Sequence, residues 1–201
     1  MRQILITILA TLTMVFFSAC GYTGGEKTTE QTTKVAENQA ATPANKILVA
    51  YFSCTGNTKK AALEVAEILK ADTFEIVPAE PYTPDDLNYN VDNCRANVEQ
   101  KNSDARPEIK SKLENPAQYK TIVIAFPIWW GAEPRIIDTF IESYDLTGKT
   151  IVPVCTSNGS EIQASVKNLQ TLCNGATVKD GKRLGIISKD EVKTWLHSLN
   201  L

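Results

Sequence analysis

A short run of hydroxyl side chains, Gly and Asn at residues 53–58 is the stretch best suited to binding a ligand. It reads Ser-Cys-Thr-Gly-Asn-Thr, follows the apolar residues 46–52, and precedes residues 59–69, whose apolar positions recur at helical spacing. A loop between a strand and a helix exposes the free N–H groups of the first helical turn, and these groups bind anions. The stretch therefore predicts an anion site, with phosphate as the expected anion.

The motifs that this loop lacks narrow the kind of phosphate. It has no Gly-Lys-Ser/Thr ending, as in ATP and GTP loops, and no GxGxxG pattern, as in dinucleotide folds. The hydroxyls of Ser53, Thr55 and Thr58 can each donate one hydrogen bond to a phosphate oxygen. The loop therefore favours a terminal phosphomonoester over a nucleoside triphosphate or a tightly bound NAD.

Two more loops follow predicted strands. The first comprises Pro127, Ile128, Trp129, Trp130 and Gly131, and the second comprises Thr156, Ser157, Asn158 and Gly159. Adjacent tryptophans at a strand end are costly to expose unless they cover something flat and apolar, such as an aromatic ring system. The second of these loops, taken alone, is better explained as a plain turn into a helix with Ser160 as its N-cap, and it indicates a binding role only beside the other two loops.

These loops need a scaffold that brings them together. Predicted strands at 46–52, 73–77, 119–126 and 150–155, and a weaker one within 176–187, alternate with predicted helices at 58–69, 135–144 and 160–172. A last helix follows a capping box that starts at Ser188. Such alternation predicts a parallel sheet covered on both faces, with all three loops at its carboxyl edge. Residues 78–116 interrupt the pattern with a turn-rich segment and one predicted helix over 91–100.

The S-x-T-G-N-T and P-x-W-W-G motifs, in register with this βα pattern, resemble the flavodoxin family over residues 46–201. The resemblance implies a three-layer α/β/α sandwich around a five-stranded parallel sheet of order 2-1-3-4-5. It also implies non-covalent binding of FMN and a role in electron transfer, with no side chain needed as nucleophile or general base.

The same resemblance implies a role for each loop. The FMN phosphate is expected on Ser53, Thr55, Gly56, Asn57 and Thr58. The flavin ring is expected against Pro127, Ile128, Trp129, Trp130 and Gly131, and its other edge against Thr156, Ser157, Asn158 and Gly159.

One departure from the family leaves the function open. Electron-transfer flavodoxins usually carry a Tyr in the third loop, stacked on the outer face of the flavin, and residues 156–159 contain no aromatic. Either Trp129, Trp130 or Tyr82 takes that place, or the face is open to a substrate. The alternatives are an NAD(P)H-dependent quinone or flavin reductase, and a non-redox protein that binds another phosphorylated ligand or a partner. The redox partner, whether a protein or a small-molecule acceptor, is not indicated.

The N-terminus resembles that of a bacterial lipoprotein. Arg2 precedes the apolar residues 4–17, and Ser18-Ala19-Cys20 resembles a lipobox. This predicts a signal peptide over 1–19, lipid on Cys20, a disordered tether over 20–45, and the FMN-binding domain over 46–201. The protein is then exported and anchored to a membrane of the cell envelope; Gly21 after the Cys favours the outer membrane. The alternative is an ordinary secretory signal with an incidental Cys.

Composition excludes two other classes of function. A net charge of -2 with 22% charged residues gives no basic stripe for nucleic acid. A zinc site has no support, because no CxxC pair is present and the only histidine is His197. The four cysteines after Cys20 leave room for one disulfide in an exported protein, and the sequence does not choose the pair.

Overall fold

A computed structural model describes residues 46–185 and 187–201. The predicted signal peptide, Cys20 and the tether lie outside these residues. Within them, no helix is long and apolar enough to cross a membrane. The four described cysteines, Cys54, Cys94, Cys155 and Cys173, are free thiols.

The strands form one parallel sheet. They are β1 (Lys46–Tyr51), β2 (Asp72–Glu75), β3 (Tyr119–Pro127), β4 (Thr150–Thr156), β5 (Thr177–Val178) and β6 (Lys182–Leu184). The order is β2-β1-β3-β4-β5, and β6 also pairs with β4, beyond β5 along the same edge. The predicted order 2-1-3-4-5 is confirmed, with β5 and β6 as two pieces of the fifth strand.

Pro153 in β4 explains why the fifth strand is split. The pairing of Ile151 with Val178 becomes that of Val154 with Lys182, so the outer chain carries one extra residue. Proline has no N–H to donate to a neighbouring strand, and within sheets it is found at edge strands or at bulges, where the regular pairing is interrupted. Gly181 fits beside it because a Cβ there would lie 2.9 Å from the Pro153 carbonyl oxygen.

Helices cover both faces of the sheet. They are α1 (Asn57–Leu69), α2 (Arg95–Lys101), α3 (Arg135–Glu142), α4 (Gln163–Leu172) and α5 (Lys189–Ser198), with one 3-10 turn at Pro116–Gln118. One apolar cluster joins the sheet to α1 and α5, and a second joins it to α3 and α4. The three-layer α/β/α sandwich is therefore confirmed. The capping box of α5 is also present, formed by Ser188 and Glu191.

Residues 78–116 form an ordered cover beside α3. Their two ends pair as an antiparallel bridge between Pro78 and Ile109. Arg106 binds Glu142 of α3 through two hydrogen bonds of 2.7 Å. The predicted helix over 91–100 is displaced and shorter, because Cys94 is its N-cap and α2 begins at Arg95. The segment thereby adds α2 to the face of the sheet that α3 and α4 cover.

Candidate functional site

The loop between β1 and α1 has the geometry of an anion site. Gly56 is the N-cap of α1 with φ 87°, in the left-handed region that L side chains rarely adopt. Its N–H donates to Ser53 Oγ at 3.1 Å, and Asn57 Nδ2 donates to Thr55 Oγ1 at 3.3 Å. The first turn of α1 contains no acidic residue, so nothing there opposes an anion at the helix N-terminus.

Hydroxyl contacts join this loop to the one after β4. Thr58 is buried, and its Oγ1 lies 2.7 Å from Thr156 Oγ1. Ser157 Oγ donates to the Ser160 carbonyl at 2.6 Å and accepts from the Gly159 N–H at 3.1 Å. The prediction of Ser160 as N-cap of a plain turn is wrong, because Ile162 caps α4 and residues 157–160 form their own hydrogen-bonded loop.

The loop after β3 is a tight turn. Trp129 and Ala132 exchange two backbone hydrogen bonds, of 2.8 and 3.0 Å. Trp130 and Gly131 between them have φ values of 50° and 81°. Positive φ at both central residues is typical of a type I′ turn, and it is costly for a residue as large as Trp. The Ile128 N–H donates to the Thr156 carbonyl at 3.0 Å, which attaches this turn to the loop after β4.

The two tryptophans have different environments. The Trp129 ring packs edge-on against Phe52 and Tyr82, with ring centroids 5.7 and 5.3 Å away. The Trp130 ring is 52% exposed. The strained turn therefore presents Trp130 outward while Trp129 anchors the loop to the core.

One cleft of about 1170 Å³ joins the three loops. Every predicted binding residue lines it except Gly56 and Gly131, which shape the loops through their backbone conformation. Its charged lining residues within the described part of the chain are Lys60 and Glu64. The cleft combines hydroxyls and backbone donors with an exposed indole, which suits a ligand that carries both an anionic group and a flat ring.

An aromatic residue that the sequence did not indicate also lines the cleft. Tyr89, in the 78–116 segment, is 65% exposed, and its ring lies 5.9 Å from that of Trp130. Asn97 Nδ2 holds the segment by donating to the carbonyls of Tyr89 and Val91, at 3.1 and 2.8 Å. No periodicity or motif marks Tyr89, because only the fold of this segment brings it to Trp130.

Tyr82, one of the aromatic residues considered for the open flavin face, does not line the cleft. The Arg95 guanidinium lies 4.1 Å from the centroid of the Tyr82 ring, and the Tyr82 hydroxyl donates to Glu99 at 2.5 Å. Burial, followed by this hydrogen bond, raises the pKa of Tyr82. Tyr82 is therefore a neutral packing residue beneath Trp129.

A buried polar cluster supports the aromatic turn from behind. Gln100 Nε2 donates to the carbonyls of Trp129 and Glu133, at 3.1 and 2.9 Å. The carboxyl groups of Glu133 and Asp138 are both buried, and Asn168 donates to each. Burial and the neighbouring Glu133 raise the pKa of Asp138 to about 6. The turn is thus attached to α2, α3 and α4.

Comparison with known proteins agrees with this fold. The flavodoxin family model matches residues 46–199. A candidate flavoprotein from Bacteroides uniformis is 46% identical, with 77% of this chain and 99% of that chain covered and a TM-score of 0.74. Another from Bacteroides eggerthii is 42% identical, with 78% and 98% covered and a TM-score of 0.75.

A third solved structure is a Lactobacillus acidophilus flavoprotein in complex with FMN. It is 26% identical, with 76% of this chain and 99% of that chain covered and a TM-score of 0.59. No curated protein matches the chain. The family model covers most of the chain, and the two Bacteroides relatives align over nearly their whole length. The chain therefore belongs to the flavodoxin family.

Proposed function

We propose that this chain is an FMN-binding protein that acts in electron transfer. The cofactor is FMN, as in the Lactobacillus acidophilus flavoprotein. The observation that carries the proposal is a single cleft that joins the N-terminus of α1 to the exposed ring of Trp130. That pairing of an anion site with an aromatic surface fits a phosphate and a flat ring on one molecule.

The residues present fit this group at both ends. At one end, an added Cβ on Gly56 would meet nothing within 4 Å, so the left-handed backbone leaves space beside the free N–H groups. Ser53, Thr55 and Thr58 would hold the phosphate there. At the other end, Trp130 would cover the ring. Bound FMN supplies the redox chemistry, while these residues bind it, orient it and exclude water.

A titration of the purified protein with FMN tests the cofactor. We expect flavin fluorescence to be quenched to a 1:1 end point, with riboflavin, which lacks the phosphate, binding more weakly. The contacts between the phosphate and the anion site would explain that difference, because the two ligands share the same ring. A protein that takes up neither FMN nor riboflavin would instead support the alternative of a non-redox ligand-binding protein.

One observation favours a second candidate, an NAD(P)H-dependent quinone or flavin reductase. The loop over residues 156–159 contributes only small side chains to the cleft, so one side of a bound ring would remain open to an acceptor. Steady-state assays of the FMN-loaded protein with NADH or NADPH and a quinone separate the two functions. Rapid turnover supports the reductase. Electron exchange with a reduced carrier protein, without NAD(P)H oxidation, supports the carrier.

We also propose that the protein is exported and anchored to a membrane through lipid on Cys20. The support is the lipobox-like Ser18-Ala19-Cys20 after an apolar run. Fractionation of cells that express the full chain tests this. Wild type is expected in the membrane fraction and Cys20→Ala in the soluble fraction. A wild type found in the soluble fraction with an unmodified Cys20 would contradict lipid anchoring.

A further inference from the structure

Two buried carboxyl groups, those of Glu133 and Asp138, lie directly behind the aromatic turn. Glu133 is 0% exposed and Asp138 is 1% exposed. Asn168 of α4 donates its Nδ2 to Glu133 Oε1 and, at 3.3 Å, to Asp138 Oδ1. Both carboxyl groups therefore lie within hydrogen-bonding distance of one nitrogen atom, and close to each other.

The cations around the pair favour Asp138. Arg135 of α3 places Nη1 3.1 Å from Asp138 Oδ2, and Arg106 of the 78–116 segment places Nη1 3.9 Å from the same oxygen. Arg106 is shared, because it also binds Glu142 through two hydrogen bonds. Among the described residues, these two arginines form ion pairs with Asp138 and none with Glu133.

Glu133 has neutral neighbours instead. In residues 46–185 and 187–201, no ion pair involves its carboxylate, and its Oε2 is buried without a hydrogen-bond partner. The elements packed against it present the side-chain amides of Asn168, from α4, and Gln100, from α2. An ionised carboxyl group buried without a cation is costly, so Glu133 is the less well compensated of the two carboxyl groups.

Two like charges this close in a buried site do not both ionise readily, so the pair titrates as one unit. Burial and the nearby negative charge of Glu133 raise the pKa of Asp138 from 3.8 to about 6. The pair therefore keeps one proton below about pH 6 and loses it as the pH rises through that value.

The backbone of Glu133 connects this proton to the cleft. Glu133 directly follows Ala132, the last residue of the turn, and Gln100 Nε2 binds the carbonyls of both Glu133 and Trp129. Trp130 lies between these two attachment points, in a strained left-handed conformation. Displacement of the Glu133 carboxyl group therefore disturbs the support of the residue that faces the cleft.

We propose that Glu133 and Asp138 share one proton that positions the aromatic turn for FMN, so that loss of this proton weakens FMN binding. The second negative charge repels the first and drives the Glu133 side chain from its pocket, together with the end of the turn. Glu133 is thus a positioning residue, because it acts through Trp130. The inference rests on the proposed binding of FMN.

The test is the dissociation constant of FMN, measured by fluorescence quenching with the full chain between pH 5.5 and 8. The variants are Glu133→Gln, which has nearly the same shape and cannot ionise, and Glu67→Gln, which removes an exposed carboxylate of α1 paired with Lys189. The FMN phosphate itself titrates near pH 6, at about its second pKa. The readout is therefore the ratio of wild type to variant at each pH.

We expect the wild-type dissociation constant to rise about tenfold relative to Glu133→Gln across this range, which corresponds to a one-unit pKa difference between bound and free protein. Glu67→Gln should follow wild type. Wild-type and Glu133→Gln profiles that superimpose would overturn the proposal. Absence of FMN binding at every pH would overturn the proposed function instead.

Infrared difference spectra of the wild-type protein without FMN give a second, independent readout. Between pH 5 and pH 8 we expect the band of one protonated buried carboxyl group to disappear in wild type and to be missing from Glu133→Gln. The wild-type spectra alone show whether the carboxyl pair holds a proton, even if Glu133→Gln fails to fold. A wild-type spectrum with no such band shows that the pair holds no proton and contradicts the inference.

Discussion

Two residues in the left-handed region shape opposite ends of the cleft. Gly56 turns the chain into α1, and Trp130 accepts the same kind of conformation without the freedom of glycine. A non-glycine residue at positive φ persists only where its surroundings hold it there, and such residues concentrate at ligand sites. Gln100 and the hydrogen bonds between Trp129 and Ala132 supply those surroundings.

The backbone of Gly56 leads to a test of the anion loop. Gly56→Ala should lower the free energy of unfolding by about 1 kcal/mol, because an L residue is strained at φ 87°. It should also weaken FMN binding, since relief of the strain turns the first N–H groups of α1 away from the phosphate. Urea denaturation and FMN titration measure the two effects.

Gly148 provides the matched control, because its φ is 69° and it does not line the cleft. Gly148→Ala should lose a similar amount of stability and keep the FMN affinity of wild type. Equal losses of affinity in both variants would mean that the strain acts through general destabilisation and not through the anion site.

Asp138 makes the stability of the fold depend on pH. Its folded-state pKa is about 6 against an ordinary value of 3.8, so the folded protein binds more protons than the unfolded chain between these values. The contribution of protonated Asp138 to the free energy of unfolding is full below about pH 4 and is lost as the pH rises through 6. The free energy of unfolding changes there by at most about 1.4 kcal/mol per pH unit. Asp138→Asn should lack this slope. Urea denaturation between pH 4 and 7.5 measures it.

Asp145 should change the stability with pH in the opposite direction from Asp138. Hydrogen bonds from the side chain and backbone of Thr147 lower the pKa of Asp145, so its contribution is present above its unfolded pKa and is lost as the pH falls. Below about pH 4, Asp145→Asn should therefore fall further behind wild type as the pH rises, whereas between about pH 4 and 6 Asp138→Asn should gain on wild type. Parallel pH profiles for the two variants would contradict both assignments.

Among the elements, α2 has the clearest effect on the site. It belongs to the irregular segment 78–116, yet its Gln100 binds both ends of the aromatic turn. The same segment carries Tyr89 to the rim of the cleft and Tyr82 beneath Trp129. The segment therefore supports and extends the site, which gives a reason for so long an excursion between two strands.

Gln100→Leu tests this support. The substitution removes two hydrogen bonds. The Trp129 carbonyl keeps the Ala132 N–H as a donor, whereas the Glu133 carbonyl loses the Gln100 amide, and an unsatisfied buried carbonyl costs about 1–3 kcal/mol. We expect lower stability and weaker FMN binding, together with a change in tryptophan fluorescence. Val98→Ala, on an exposed position of the same helix, should leave all three unchanged. Wild-type FMN affinity in Gln100→Leu would show that the turn holds its shape without α2.

For the molecule as a whole, ligand binding and folding should be linked. A ligand that binds only the folded state adds about 2.7 kcal/mol to the free energy of unfolding at 100 times its dissociation constant. Removal of FMN should therefore lower the urea midpoint by a corresponding amount. Riboflavin at the same concentration should protect less, because it does not occupy the anion loop. Equal protection by both ligands would place the binding energy in the ring contacts alone.

The sequence by itself predicted a parallel sheet with the candidate loops at one edge, and its resemblance to the flavodoxin family implied the strand order. Apolar runs alternate with helical patterns over local stretches, and parallel strands must place the following loops at one edge; residues 53–58, 127–131 and 156–159 were therefore predictable. The signal peptide, Cys20 and the tether stay predictions.

Only the tertiary structure decided which side chains these loops use and what supports them. It separated Trp129, packed on Phe52, from Trp130, exposed at the cleft, although the two are adjacent and chemically identical. It brought Tyr89 to the cleft, and it buried Glu133 beside Asp138. It also split the fifth strand opposite Pro153. These outcomes depend on contacts between residues far apart in the chain, and local patterns of hydrophobicity carry no information about such contacts.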